Sequence, residues 1–327
     1  MGMLEGKVVL ITGAGRGIGR GHALTLAAHG AKVIVNDLGT SLTGEGADKG
    51  PAQEVVDLIA SRGGEAVADV EDISTWDGAA NAVAHAVEHF GRLDGLVNNA
   101  GIARPSDIAD LTEADFDALM GVHLKGTFGC TVHACKHWRG RADAGERVRA
   151  SVVNTASDSA FFSTPSDSAY AAMKAGIQQL TMCAGRETGA YGVRMNAVAP
   201  RAYTRMARYL IPGFEIREAD SYTGEESPFD PSNASPLVAW LLSDDSAHVT
   251  GLLFRTLGGG FARVSGWQME PIIFPKDGSS HFAVEEIGRV LNTEVFGCAV
   301  RDIPIDFAPG DPRAAAGTKD SAAGRRS

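Results

Sequence analysis

Tyr170 and Lys174 stand four residues apart in the stretch YAAMK. Positions i and i+4 share one face of an α-helix, so a phenol and an ammonium would project side by side into whatever that face borders. A free phenol ionises near pH ~10, and holding it as an ion near neutrality takes about 3 to 4 kcal/mol of charge stabilisation. Neighbouring cations supply such stabilisation, which would make the pair a general acid/base beside its tuning charge. An exposed pair on an amphipathic helix has the same spacing, so other residues must decide between the two readings.

A second chemical signal lies near the start, where TGAGRGIG (12–19) directly follows the apolar run KVVLITG. Glycines let a backbone turn tightly and approach a pyrophosphate, while the free N–H groups and positive end of the following helix bind its charge. Strand, glycines and helix come here in the required order, which points to a dinucleotide held at Gly13, Arg16, Gly17, Ile18 and Gly19. Asp37 falls eighteen residues after Gly19, at the end of the second apolar run. A carboxylate there can accept both ribose hydroxyls and repels a 2'-phosphate, which favours NAD over NADP. Arg16 argues the other way, because a guanidinium inside the turn could pair with that phosphate.

The elements that must position these groups are legible as alternation. Short apolar runs recur at KVVLITG, AKVIVND, EAVADV, LDGLVNN, SVVNTAS, VRMNAVAP and GLLFRTLGG, with periodic helical stretches between them. Near-continuous apolar runs are those of strands buried on both faces. The expectation is an α/β fold, a Rossmann-type doubly wound seven-stranded parallel sheet with helices on both faces, forming a single domain over 1–265. Three segments break the pattern. A Gly-rich insertion occupies 38–50, and a long polar and aromatic stretch at 201–233 reads as a substrate lid. Beyond the domain, 266–307 reads as a helical extension and 308–327 as a disordered tail.

The net charge of -10, with no local block of Lys or Arg, excludes nucleic acid and an anionic membrane surface as expected partners. The start MGMLEGKVVLITG has the pattern of neither a signal peptide nor a membrane span, so a cytoplasmic protein is expected. The four cysteines form no CxxC pair and the nine histidines no HExxH-like cluster, so no metal site is expected.

Taken together, TGAGRGIG, the NNAG at 98–101, a Ser thirteen residues before YxxxK and a strand ending in AP resemble the short-chain dehydrogenase/reductase family. The resemblance covers roughly 5–265. It implies that Tyr170 is the general acid/base, Lys174 its activator and ribose anchor, and Ser157 the hydroxyl that orients the substrate oxygen. A strand-end capping hydroxyl is the alternative for Ser157, with Ser159 close by. Asn98, Asn99, Ala100 and Gly101 would support the central strand and the cofactor, Asp72 and Ile73 would border the adenine, and Pro200 of the AP turn would adjoin the cofactor. One position departs from the family: GVHLKGTF places His123 where an Asn usually completes a proton relay through water. A structural hydrogen-bonder and a holder of the relay water are both open to it.

Within the family, VNDLG with its insertion, VHLKGTF, TRM and LGGGFARVSGW resemble the (3R)-hydroxyacyl-CoA dehydrogenase branch of peroxisomal multifunctional enzymes and their bacterial relatives. That likeness implies a bulky acyl-CoA or steroid-like alcohol. The balanced charges of the lid offer no clear CoA-phosphate site, whereas Tyr203, Tyr209, Phe214, Tyr222 and Phe229 suit an apolar or ring-shaped substrate or else pin the lid to the core. The expected function is an NAD-dependent oxidoreductase that interconverts a secondary alcohol and a ketone on a bulky hydrophobic small molecule. An NADPH-dependent 3-oxoacyl or polyketide-type ketoreductase is the alternative in the same class, and a catalytically silent dinucleotide-binding sensor or scaffold the alternative from another. The resemblance also implies a homodimer or homotetramer built on the two long helices flanking the catalytic strand.

Overall fold

The computed structural model describes residues 2–162, 165–202, 204–206, 229–265, 272–276, 282 and 284–291. The chain divides into two compact units, Met1–Val264 and Ser265–Ser327. The first is built on one sheet in the order β3-β2-β1-β4-β5-β6-β7-β8. Its strands are β1 (Val8–Thr12), β2 (Lys32–Asn36), β3 (Glu65–Asp69), β4 (Gly95–Asn98), β5 (Ala150–Thr155), β6 (Val193–Arg201), β7 (Leu253–Leu257) and β8 (Gly260–Val264). The first seven are parallel to their neighbours, and β8 returns antiparallel along β7. That eighth strand lies outside the sequence expectation because GFARV is mostly exposed and so carries no buried run to announce it. Its hairpin turns at Gly258, whose φ of +58° suits glycine.

Alternation along β1 feeds two cores. Val9 and Ile11 face one, with α1 (Gly17–Ala28), α2 (Gly50–Ser61) and α7 (Ser235–Leu242). Val8 and Leu10 face the other, with α3 (Trp76–Phe90) and α5 (Gly126–Asp143). Trp138 of α5 is wholly buried there, its Nε1–H donating to the Leu93 carbonyl at 2.7 Å. Between α4 (Glu113–Leu119) and α5 the helix widens into a π-turn over Met120–Lys125, and His123 sits on it. Such turns interrupt an otherwise regular α-helix and are frequent at functional sites. The helix α6 (Ser168–Glu187) carries YAAMK. The insertion after β2 folds back on the segment after β4: Leu42 O accepts from Ala103 N at 3.0 Å, and Thr43 O from Arg104 Nε at 2.8 Å.

Much of the expected lid, including Tyr203, Tyr209, Phe214 and Tyr222, lies outside the described residues, as does the tail at 308–327. Of the extension at 266–307 the structure describes 272–276, 282 and 284–291, which include α8 (Val284–Val290). No helix among the described residues is long and apolar enough to cross a membrane.

Candidate active site

The functional residues read from the sequence gather at the C-terminal edge of the parallel strands, where open α/β sheets bind ligands. The glycine turn leaves β1 with Gly13 at φ +63° and packs directly on the segment after β4. A Cβ on Gly13 would stand 2.7 Å from the Ala100 Cα, and one on Gly19 would collide with the Gly13 carbonyl. Asn99 locks this contact, its Nδ2 donating to the carbonyls of Thr12 (3.0 Å) and Gly13 (3.1 Å), while Thr12 Oγ1 accepts from the N–H groups of Asn99 and Ala100. Arg16 holds the N-cap position of α1 without a side-chain cap bond, and the first turn, with Gly17 and Ile18, has no acidic residue. Uncapped N–H groups at the positive end of a twelve-residue helix fit a pyrophosphate.

Asp37 follows β2 and is fixed by two backbone donors, Oδ2 accepting from Gly15 N and Oδ1 from Gly39 N, both at 2.7 Å. Arg16 is drawn to the insertion, where its Nη1 donates to Thr40 O at 3.3 Å. Asp72 and Ile73 follow β3. Asp72 Oδ1 accepts from Ser74 N at 3.0 Å, and the Ile73 side chain is buried against Gly126 of α5. Pro200 lies near the end of β6, opposite Thr256 of β7.

Tyr170 and Lys174 come together with Ser157 and His123. Lys174 is 3% exposed, its Nζ donating to the Thr155 carbonyl at the end of β5 (2.7 Å) and lying 5.5 Å from the centre of the Tyr170 ring. Burial pushes the Lys174 ammonium down to about 7. Burial also pushes the Tyr170 phenol well up, the hydrogen bond with Ser157 opposes that rise, and the charges of Asp167 and Asp158 add to it. The sequence reading looks for a lowered phenol. Within the protein alone desolvation of the phenolate outweighs the neighbouring groups, and a lysine at about 7 is only half charged at neutrality.

Ser157 makes two contacts: its hydroxyl accepts from Ser159 N at 3.2 Å, capping the turn Asp158–Ala160, and it bonds the Tyr170 phenol. The His123 ring meets that of Tyr170 edge-on at 5.0 Å and fills the space beside Gly101, where a Cβ would stand 2.7 Å from its Cε1. Burial first, then the Lys174 charge, push its pKa down to about 3, so the imidazole is neutral. Its Nε2 lies 2.9 Å from the Ile102 carbonyl. The Ile102 N–H also lies 3.2 Å from Nε2, so the tautomer sets the roles: with the proton on Nε2, given to the nearer carbonyl, Nδ1 is an acceptor, and it is buried with no partner among the described residues.

Sequence reasoning missed several residues of the site. Thr155 anchors the ammonium through its backbone carbonyl, a role that any residue type could fill. Asp158, next to Ser157, is held by Arg255 of β7 through two bonds of 2.8 Å. Asp167 lies buried three residues before Tyr170. No local spacing relates Asp158 to Arg255, and only the pairing of β5, β6 and β7 brings them together.

A family model described as short chain dehydrogenase matches residues 7–211. The chain is 39% identical over 283 residues to the hydroxyacyl-CoA dehydrogenase ChsB1 of Mycobacterium tuberculosis, covering 85% of each. It is 32% identical over 271 residues to the peroxisomal hydratase-dehydrogenase-epimerase of Saccharomyces cerevisiae, covering 83% of this chain and 28% of that one. A solved short chain dehydrogenase from Mycobacterium avium superposes with a TM-score of 0.80 at 43% identity, covering 94% of this chain and all of that one. The chain therefore belongs to the short-chain dehydrogenase family and is an oxidoreductase of alcohols and ketones that works with a nicotinamide dinucleotide.

Proposed function

We propose that this protein uses NAD, in preference to NADP, to interconvert a secondary alcohol and a ketone on a bulky hydrophobic substrate, with Tyr170 as the acid/base. The observation that carries the reading is the junction of half-buried Tyr170 and Ser157 with buried Lys174 and His123. The nicotinamide ring, when bound, takes up or supplies the hydride. In oxidation Tyr170 acts as the phenolate, its own proton having left through the water held by His123, and takes the alcohol proton, while Ser157 donates a hydrogen bond where charge develops on the substrate oxygen. In reduction the same phenol protonates that oxygen. Lys174, fixed on Thr155, brings positive charge to the phenol and a donor to the nucleotide ribose. His123 holds a relay water on Nδ1. The glycine turn takes the pyrophosphate, Asp72 and Ile73 border the adenine, and Asn99, Ala100, Gly101 and Pro200 line the remaining length. A hydroxyacyl-CoA substrate is supported by the likeness to the mycobacterial hydroxyacyl-CoA dehydrogenase. A homo-oligomer through α5 and α6 is supported by Phe128, an exposed aromatic on α5.

Preference for NAD rests on Asp37, whose negative charge is pinned at the end of β2 while Arg16 is engaged by Thr40. Wild type should bind and turn over NAD at least about tenfold better than NADP, a difference of about 1.4 kcal/mol. Asp37→Ala should erase most of that margin by weakening NAD and relieving the repulsion of the 2'-phosphate. Titrations of nucleotide fluorescence for both cofactors check this, and an equal or NADP-favouring wild type would turn the assignment to a reductive NADPH enzyme.

The Asp158–Arg255 pair holds the turn that begins at Ser157, so it acts on the reaction by positioning. Arg255→Met should lower kcat about tenfold with nucleotide affinity unchanged. The exchange Asp158→Arg with Arg255→Asp should recover part of the loss, which a merely misfolded single variant would not show.

A further inference from the structure

Asp167 is the buried ionisable group of this site that the mechanism leaves unused. It holds the N-cap position of α6, where a carboxylate ordinarily accepts from the N–H groups of the first turn, yet its side chain makes no such bond. Its backbone carbonyl alone takes the Ala171 N–H, at 2.8 Å. The side chain turns into the protein, 5% exposed, and hydrogen-bonds the Ser159 side chain. The atom Oδ2 is buried with no partner among the described residues, and Asp167 lines a small cavity together with Tyr170, Ala103, Arg104, Pro105 and Met206.

The backbone before it is set for this arrangement. Ser166 has φ +62°, the only positive value on a non-glycine residue among those described, and its carbonyl accepts from Ser106 N at 3.0 Å. A left-handed serine is strained, and a buried polar atom without a partner is unfavourable. Forgoing a helix cap adds to both. Arg104, the cation on the cavity wall, does not relieve the carboxylate, being bound to Asp115 at 2.6 Å and to the Thr43 carbonyl.

We propose that Asp167 is a specificity-determining residue whose Oδ2 accepts a hydrogen bond from a hydroxyl or N–H donor on the substrate carbon next to the one that reacts at Tyr170. The substrate class is thereby narrowed to secondary alcohols and ketones with an adjacent donor, and a hydroxyacyl-CoA falls within it only where a further hydroxyl or N–H stands next to the reacting carbon. Asp167 and Tyr170 line the same small cavity, which brings neighbouring carbons of one substrate within reach of both side chains. The inference rests on the oxidoreductase reading of this site.

Burial raises the Asp167 carboxyl to about 6. The carboxylate is the better acceptor, so recognition is complete above that pH and fades as pH falls through it. The charged and titratable groups around it are Tyr170 and Lys174 of α6, neutral His123 of the π-turn, Asp158 paired with Arg255, and Arg104 paired with Asp115.

The test uses the full chain with NADH and three probes: tetralone, its alpha-hydroxy derivative and the methyl ether of that derivative. Wild type should prefer the hydroxy probe to the ether by at least about tenfold in kcat/KM, chiefly through KM. Asp167→Leu should bring the ratio near one, and because the ratio is read within each protein a general loss of activity cancels. Asp167→Asn, which fills the same space, should lower the ratio at about pH 8 and remove its dependence on pH between about 5 and 7. Probe affinities for the NADH complex, read by nicotinamide fluorescence, give the same ratio without turnover. A ratio near one in wild type, or the same ratio in wild type and Asp167→Leu, would overturn the proposal even with tetralone turning over. Failure of all three probes to react contradicts the oxidoreductase reading instead, while the affinity ratio still decides the role of Asp167.

Discussion

Tyr170→Phe should lower kcat by about 10²- to 10⁴-fold and change nucleotide affinity by less than about threefold. Phe keeps the aromatic ring that meets His123 edge-on and lies beside the Lys174 ammonium, so packing at the junction is retained. What is lost is the oxygen that moves the proton, together with its bond to Ser157. Affinity is nearly spared because the glycine turn and Asp37 are untouched. Steady-state rates with a secondary alcohol, beside titration of nucleotide fluorescence, read the two quantities separately. A variant with kcat within a few-fold of wild type would show that the proton leaves by another route.

Gly19→Ala should weaken nucleotide binding by at least about a hundredfold, or about 2.7 kcal/mol. The new methyl would collide with the Gly13 carbonyl and stand 2.5 Å from Asn99 Nδ2, the side chain that fastens the turn to the segment after β4. Both neighbours are fixed, so relief must come from moving the turn itself. Gly17→Ala gives the contrast. There the added Cβ meets only Thr204, at 3.5 Å, but the backbone has φ +52°. Left-handed strain of about 1 kcal/mol predicts a loss of about fivefold. The order of the two variants in a nucleotide titration is the check, since equal effects would mean that the turn adapts and that packing against Asn99 does not shape it.

The parts of the site legible in the sequence are those that one stretch of backbone carries. YAAMK specifies a shared helix face, TGAGRGIG a turn after a strand, and Asp37 the end of the next strand. The seven parallel strands are legible for the same reason, each carrying a short apolar run, wholly buried in β1, β4 and β5 and only partly so in β3. The eighth, GFARV, was not, because its exposed residues are indistinguishable from a loop. Contacts across the fold are equally silent: Asp158 meets Arg255 only through strand order, and Thr155 serves Lys174 through a carbonyl common to every residue. Burial is the third gap. Spacing places Lys174 beside Tyr170 but does not reveal how far each is withdrawn from water, Lys174 buried and Tyr170 half-buried, which sends the phenol up and the ammonium down.

The most direct test of the central claim is the formation of NADH or NADPH when the protein is offered NAD or NADP with hydrophobic secondary alcohols, steroids and hydroxyacyl-CoA thioesters. The account predicts hydride transfer to NAD from at least one of these classes, with NADP slower by about tenfold or more. Tight NAD binding with no transfer from any of them would contradict it and favour a dinucleotide-binding protein without catalysis.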